Sequence, residues 1–127
     1  MDNIDAAEDW LDAWVGQANA QAARSVELSR RVAALTGTAA GRDGAIRVTV
    51  GSAGQVERLE LDERVHELPG PRLAEEIMSV IRRAQAALSD RVAEQVQATV
   101  GADTETGRAV LHSFETRFPA VEREEDR

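Results

Sequence analysis

Few side chains in this 127-residue sequence have the types and spacing that catalysis or metal binding requires. The sequence contains no cysteine, so it offers no thiolate nucleophile, no disulfide and no cysteine ligands for zinc. His66 and His112 stand apart, each without a second histidine or a carboxylate at the spacing of metal ligands. Glu75 and Glu76 are adjacent and point to different sides of a helix, so we interpret them as first-turn charges rather than an acid–base pair. The sequence therefore predicts no enzyme, no metal site and no cofactor.

Gly51 and Gly54 bracket two small residues, and a loop of this kind can present backbone amides to phosphates. Here the two glycines fall between two segments of alternating apolar and polar residues rather than before a helix. We therefore interpret them as the turn of a β-hairpin.

The hairpin spans residues 45–62 and is the centre of the predicted fold. Apolar and polar side chains alternate before and after the glycine turn, which is the pattern of strands with one buried face. Val56 and Leu59 are out of step with this alternation, which predicts a bulge near Glu57 and Arg58. Because a two-stranded hairpin is marginal alone in water, we expect flanking helices to cover its apolar face.

Two long amphipathic helices are predicted on either side of the hairpin. The first spans residues 1–35, with Asp5 as a candidate cap near its start and Gly37 suited to a left-handed conformation at its end. The second spans residues 71–100, begins with Pro71 and has the strongest helical period in the chain. A helix of about 30 residues is about 45 Å long, which is more than a protomer of this size covers. We therefore expect the first helix to need a partner.

Residues 101–127 are predicted to be a C-terminal extension. A short amphipathic helix is expected over about residues 104–118, capped near Asp103 or Thr104 and ended by Pro119. The charged tail that follows is expected to be solvated and disordered.

The alternating strand 45–50, the glycine turn, the strand 57–62 and the amphipathic helix that follows resemble the YbaB/EbfC family of small bacterial nucleoid-associated proteins, over about residues 20–98. The resemblance implies an α+β fold, in which residues 38–44 complete a small antiparallel three-stranded sheet between the two long helices. Residues 1–100 would then form a single domain of this family. It also implies an intertwined homodimer that binds double-stranded DNA mainly through its phosphates and affects the expression of many genes.

The charge of the sequence is unevenly distributed. The formal net charge of −8 opposes nonspecific attraction to nucleic acid, and residues 1–23 carry five acidic side chains and no arginine. No stretch approaches the length of about 18 apolar residues that a membrane helix needs, and the acidic N-terminus is unlike a signal peptide. We therefore expect a cytoplasmic, nucleoid-associated protein with no membrane partner.

Arginines on the predicted long helices are the candidate DNA-binding residues, because the helices of the family's dimer are thought to grip the duplex. These candidates are Arg24, Arg30, Arg31, Arg82, Arg83 and Arg91. The competing interpretation is that Arg24 and Arg31 pair with Glu27 and other neighbours on a solvated helix face.

An alternative function is a non-enzymatic protein-interaction adaptor with the same dimeric fold and no DNA binding. Trp10, Trp14, Phe114 and Phe118 lie outside the region of resemblance. Exposed aromatic pairs are typical anchors of protein interfaces. Exposure of these side chains would favour an adaptor, whereas a continuous basic surface would favour DNA.

Overall fold

The computed structural model describes residues 2–119, with side chains from residue 5 onward. The elements in this part of the chain are α1 (Asp2–Ala33), β1 (Gly37–Gly41), β2 (Ile46–Val50), β3 (Val56–Leu61), α2 (Gly70–Thr99) and α3 (Glu105–Arg117). Short 3₁₀ helices at Arg42–Gly44 and Glu63–Glu67 connect the sheet to itself and to α2. This is the predicted α+β fold with two long helices, a small sheet and a short C-terminal helix. The predicted disordered tail lies outside the described residues.

The three strands form one antiparallel sheet in the order β1-β2-β3. The edge strand implied by the resemblance at residues 38–44 is present as β1. The glycine turn joins β2 to β3, where the Gly54 amide donates to the Gly51 carbonyl oxygen at 2.8 Å and Gly54 has a φ of +83°. The hairpin and its turn are therefore as predicted.

The predicted bulge is also present in the hairpin. Thr49 pairs with Arg58 and the next residue, Val50, pairs with Val56, so Glu57 is the extra residue on β3. A bulge of this kind restores the alignment of the apolar side chains on the two strands. The irregular spacing of Val56 in the sequence thus had a local structural cause.

The core lies between α2 and the first two strands. The buried apolar side chains of β2 meet a stripe on α2 that recurs every four residues. These core residues are Ile46, Val48 and Val50 of β2 and Val80, Ala84, Leu88, Val92 and Val96 of α2. The stripe is the physical reason why the helical period of this segment is so regular.

Two details of the predicted helix ends are wrong. Gly37 is not a left-handed cap but the first residue of β1, where α2 approaches so closely that a Cβ atom would collide with the backbone of Ala84 and with Leu88. Asp5 is not a cap either, because α1 is already helical from Asp2. In both cases the local residue type suited a cap, and the surrounding structure determined the position.

Strand β3 is left uncovered by α2. Its apolar side chains Val56, Leu59 and Leu61 pair with buried residues of β2 and so share the face on which α2 lies, yet each is 44–45% exposed. Met78, on the flank of α2, is also exposed. The sheet therefore has an apolar margin that none of the described residues covers.

Helix α1 packs on the rest of the protein only through its last third. Leu28 is buried and Val32 is half-buried against the core, whereas every side chain from residue 5 to residue 24 is exposed. The first two thirds of α1 therefore project from the rest of the protein. This agrees with the expectation that the helix is longer than a protomer of this size covers.

Helix α3 folds back onto α2 and the hairpin. Thr104 caps it by accepting a hydrogen bond from the Gly107 amide at 3.0 Å, as predicted. Phe114 enters the core, and the Phe118 ring lies against Gly54 in the hairpin turn. Among the described helices, none has an apolar stretch that could cross a membrane.

Candidate nucleic-acid interface

Three of the six candidate arginines lie on the last third of α1. Arg24, Arg30 and Arg31 are all exposed, and the last two are in the final turn of the helix, where the negative end of the helix dipole stabilises positive charge. Exposed guanidinium groups on one helix can contact phosphates of a duplex that lies beside it.

Glu27 neutralises part of this charge. Arg31 Nε donates to Glu27 Oε1 at 2.8 Å, and Arg30 donates to the other carboxylate oxygen. The hydrogen bonds from Arg31 and then Arg30 hold the pKa of Glu27 below its usual range. Among the described residues no carboxylate forms an ion pair with Arg24. The competing interpretation was that Arg24 and Arg31 pair with Glu27 and other neighbours. The described ion pairs agree with it for Arg31 and not for Arg24.

The candidate arginines of α2 have different surroundings. Arg83 donates to the carbonyl oxygen of Ala40 at 2.9 Å, and Arg91 donates to that of Thr36 at 2.9 Å, so both bind the backbone of β1 or the loop before it. Arg82 is exposed, and its position is about 200° around α2 from the buried Val80. Two of these three arginines therefore also help to hold α2 against the edge strand.

The structure brings some of the six arginines together. Arg91 reaches the loop that directly follows α1, whose last turn carries Arg30 and Arg31. Arg83 is bonded four residues further along the chain, at Ala40, which is about 13 Å away in an extended strand. Arg91 and Arg83 of α2 therefore bond to the loop and strand that directly follow the turn carrying Arg30 and Arg31.

A second group of arginines was not identified from the sequence. Arg42 and Arg72 both donate to Glu76 Oε1, at 2.8 Å and 3.2 Å, and with Arg83 they line a cleft of about 620 Å³ beside the 3₁₀ helix after β1. Arg42 and Asp43 there have positive φ angles of 49° and 56°. Since Arg42 and Glu76 are 34 residues apart, no local pattern in the sequence could have indicated their contact.

The other residues considered for chemistry remain separate. His66 and His112 are exposed, and no group of three or more histidine, aspartate or glutamate side chains in the described part of the chain could hold a metal ion. Hydrogen bonds within the hairpin itself connect the backbone of the glycine turn.

The four aromatic residues differ in exposure. Trp10 and Trp14 are 65% and 58% exposed on the free part of α1, so they are available to a partner. Phe114 is only 7% exposed and Phe118 is half-buried, because both pack under α3. Arg117 lies over the Phe114 ring, 4.6 Å from its centre. The structure thus leaves the tryptophans, and not Phe114, as exposed anchors.

Comparison with known proteins identifies a relationship over most of the chain. The sequence model of the YbaB/EbfC DNA-binding family matches residues 8–103. No curated protein sequence matches the chain. The match includes α1 from its second turn, the sheet and all of α2, and it ends before α3.

Proposed function

Because the chain belongs to the YbaB/EbfC DNA-binding family, we propose that it is a nucleoid-associated protein that binds double-stranded DNA mainly through phosphate contacts. The proposal places the protein at the nucleoid, gives it a broad effect on gene expression and involves no catalysis. The observation that carries it is the family match, and the exposed arginines at the end of α1 support it.

The positions of the charges make such binding compatible with a net charge of −8. Apart from Glu27, the acidic residues of α1 end at Asp12, and its arginines begin at Arg24. Twelve residues of helix separate these two positions by about 18 Å. A duplex lying on the arginine end therefore need not approach the acidic end of the same helix.

Self-association would increase the number of phosphate contacts. We propose a homodimer, supported by the exposed first two thirds of α1 and by the uncovered apolar margin along β3. In a two-fold dimer every arginine occurs twice, so Arg24, Arg30 and Arg31 become six cations. Six phosphate contacts are enough for a salt-sensitive grip on DNA.

The test is fluorescence anisotropy of a labelled duplex of mixed sequence, titrated with protein at low salt. Replacing Arg24, Arg30 and Arg31 together by alanine is expected to reduce affinity by at least about tenfold, because up to six charge-assisted phosphate contacts are lost. Circular dichroism should show unchanged helix content, since all three side chains are exposed.

A matched control replaces Arg58, Arg64 and Arg72 by alanine. These exposed arginines lie on β3, in the connection to α2 and at the start of α2. The control changes the net charge by the same amount, so it should bind DNA much better than the α1 variant. Equal losses in the two variants would show that net charge alone governs binding. Absence of binding by the unmodified protein would contradict the proposed function.

The exposure of Trp10 and Trp14 supports a second candidate function, a protein-interaction adaptor. In that case the purified protein would not bind DNA at low salt, and the loss of both tryptophans would abolish binding to the partner. The same anisotropy titration therefore separates the two functions.

A further inference from the structure

The free part of α1 carries an apolar stripe that the described part of the chain does not cover. Leu11, Trp14 and Val15 are large, 47–58% exposed and adjacent on this part of the helix. Large apolar side chains on a projecting helix are costly to leave in water, because burying them removes apolar surface from contact with water. The stripe therefore indicates an interaction surface.

The stripe continues along α1 with the spacing of a coiled coil. The positions recur at alternate steps of four and three residues, which is a heptad pattern. They are Leu11, Val15, Ala18, Ala22, Ser25, Ser29 and Val32. The stripe has large side chains at Leu11 and Val15 and small ones from Ala18 to Ser29. These two parts of the stripe are therefore complementary in size.

A groove accompanies the small end of the stripe. It has a volume of about 550 Å³ and lies between the last third of α1, the hairpin turn and α3. Its lining is mainly apolar or small and includes Ser25, Leu28, Ser29, Val32, Val110 and Phe114. The groove thus offers space for large side chains beside the part of α1 that has few of its own.

We propose that two copies of the chain pair through antiparallel α1 helices, so that the large end of each stripe fills the groove of the other copy. A register that sets Leu11 opposite Ser29 of the second copy also sets Val15 opposite its Ser25 and Ala18 opposite its Ala22. Leu11 and Val15 then each meet a serine, and the small residues at the centre allow close approach of the helices. The contact is self-complementary, as a two-fold dimer requires.

Charge supports the same arrangement. Arg117 lines the groove, and Asp12 directly follows Leu11 in the chain. Insertion of Leu11 therefore brings a carboxylate towards a groove that carries an arginine. A parallel pairing would instead place the acidic ends of both helices together, where like charges repel.

The pairing keeps Arg24 and Arg31 on the outer side of the helix pair, although the register also sets Asp9 of the second copy level with Arg31. Arg24 and Arg31 each lie two residues after a stripe position, which is about 200° around the helix. The inference rests on the homodimer within the proposed function and specifies its interface. The groove itself depends on α3, which lies outside the residues matched by the family.

Disulfide crosslinking tests the register cleanly, because the chain has no cysteine of its own. Val15→Cys and Ser25→Cys variants are mixed in equal amounts without DNA and oxidised gently. The expected result is a disulfide-linked heterodimer as the main product. The control mixes Val15→Cys with Ala23→Cys. Ala23 is exposed and lies only two residues before Ser25, but on a different face of α1. Equal crosslinking in the two mixtures, or none in either, would overturn the proposed pairing.

Tryptophan emission provides a second readout, because Trp10 and Trp14 are the only two tryptophans. Pairing should give Trp14 an emission at shorter wavelength than free tryptophan, shifting to longer wavelength in an Ala18→Arg, Ala22→Arg variant that blocks close approach. Fully solvent-exposed emission in the unmodified protein would contradict the pairing. Both measurements omit DNA, so pairing without DNA binding would refute only the proposed function, and DNA binding without pairing would refute only this inference.

Discussion

At the scale of single residues, the bonding of each guanidinium group determines what it can offer to DNA. Arg83 and Arg91 each donate to a backbone carbonyl oxygen, whereas Arg30 and Arg31 share the Glu27 carboxylate. A carboxylate competes directly with a phosphate for the same donors. Glu27 is therefore the residue that should limit DNA binding by α1.

Replacing Glu27 by glutamine should strengthen DNA binding at low salt by several-fold. The change removes a negative charge beside two exposed arginines and retains the size of the side chain. The control is Glu60→Gln, because Glu60 pairs with Arg58 on β3 and the change in net charge is the same. Anisotropy titrations of the two variants should differ; identical titrations would show that Glu27 has no local effect.

A second ion pair, between Asp62 and Arg64, can be tested by measuring the pKa of Asp62. The side chain of Arg64 and its backbone amide both donate to this carboxylate, which holds the pKa of Asp62 below its usual range. A lowered pKa means that the pair stabilises the fold above the usual aspartate pKa, and that this contribution is lost as the pH falls through the lowered value. In an NMR titration, Asp62 should titrate below the usual range, and Arg64→Ala should raise its pKa. An unchanged pKa in that variant would contradict the assignment.

At the scale of the elements, α2 and β1 are held at unusually close approach. Gly37 faces the backbone of α2 with no room for a Cβ atom, while Gly16 on the free part of α1 has no heavy atom near the same position. The two glycines therefore have opposite roles, although each is a single glycine near or within a helical segment of the sequence.

Gly37→Ala should lower the free energy of unfolding by about 1–3 kcal/mol, which is the typical cost of overpacking a core. Gly16→Ala should raise it by about 0.5–1 kcal/mol, since alanine replaces glycine in an exposed helix. Urea denaturation followed by circular dichroism measures both. Stabilisation by both substitutions would show that α2 and β1 do not approach as closely as described.

The sequence predicted the elements well where a local pattern had a structural cause. The offset of Val56 indicated the bulge at Glu57, and the four-residue recurrence in α2 followed the buried stripe that covers the sheet. The role of Gly37 was not predictable, since it depends on Ala84, which is 47 residues away. The arginine group around Glu76 was missed for the same reason.

At the scale of the whole molecule, the described part of the protein leaves apolar surface exposed in three places. Its α1 arm, the margin of β3 and the groove beside α3 all expose apolar surface that a partner could bury. The arginines at the end of α1 lie on a different face of the helix from the stripe, so assembly through the stripe would bring the arginines of two chains into one particle. DNA binding by this chain is therefore expected to depend on its assembly.

If the assembled protein holds DNA by phosphate contacts, as proposed, its affinity for DNA should depend steeply on salt concentration. With six contacts from Arg24, Arg30 and Arg31 in a dimer, the logarithm of the association constant should fall with the logarithm of salt concentration with a slope of about −5. Arg30→Ala should reduce the magnitude of that slope by about 2, because one contact is lost from each protomer. A slope near zero, or one that Arg30→Ala leaves unchanged, would contradict the account.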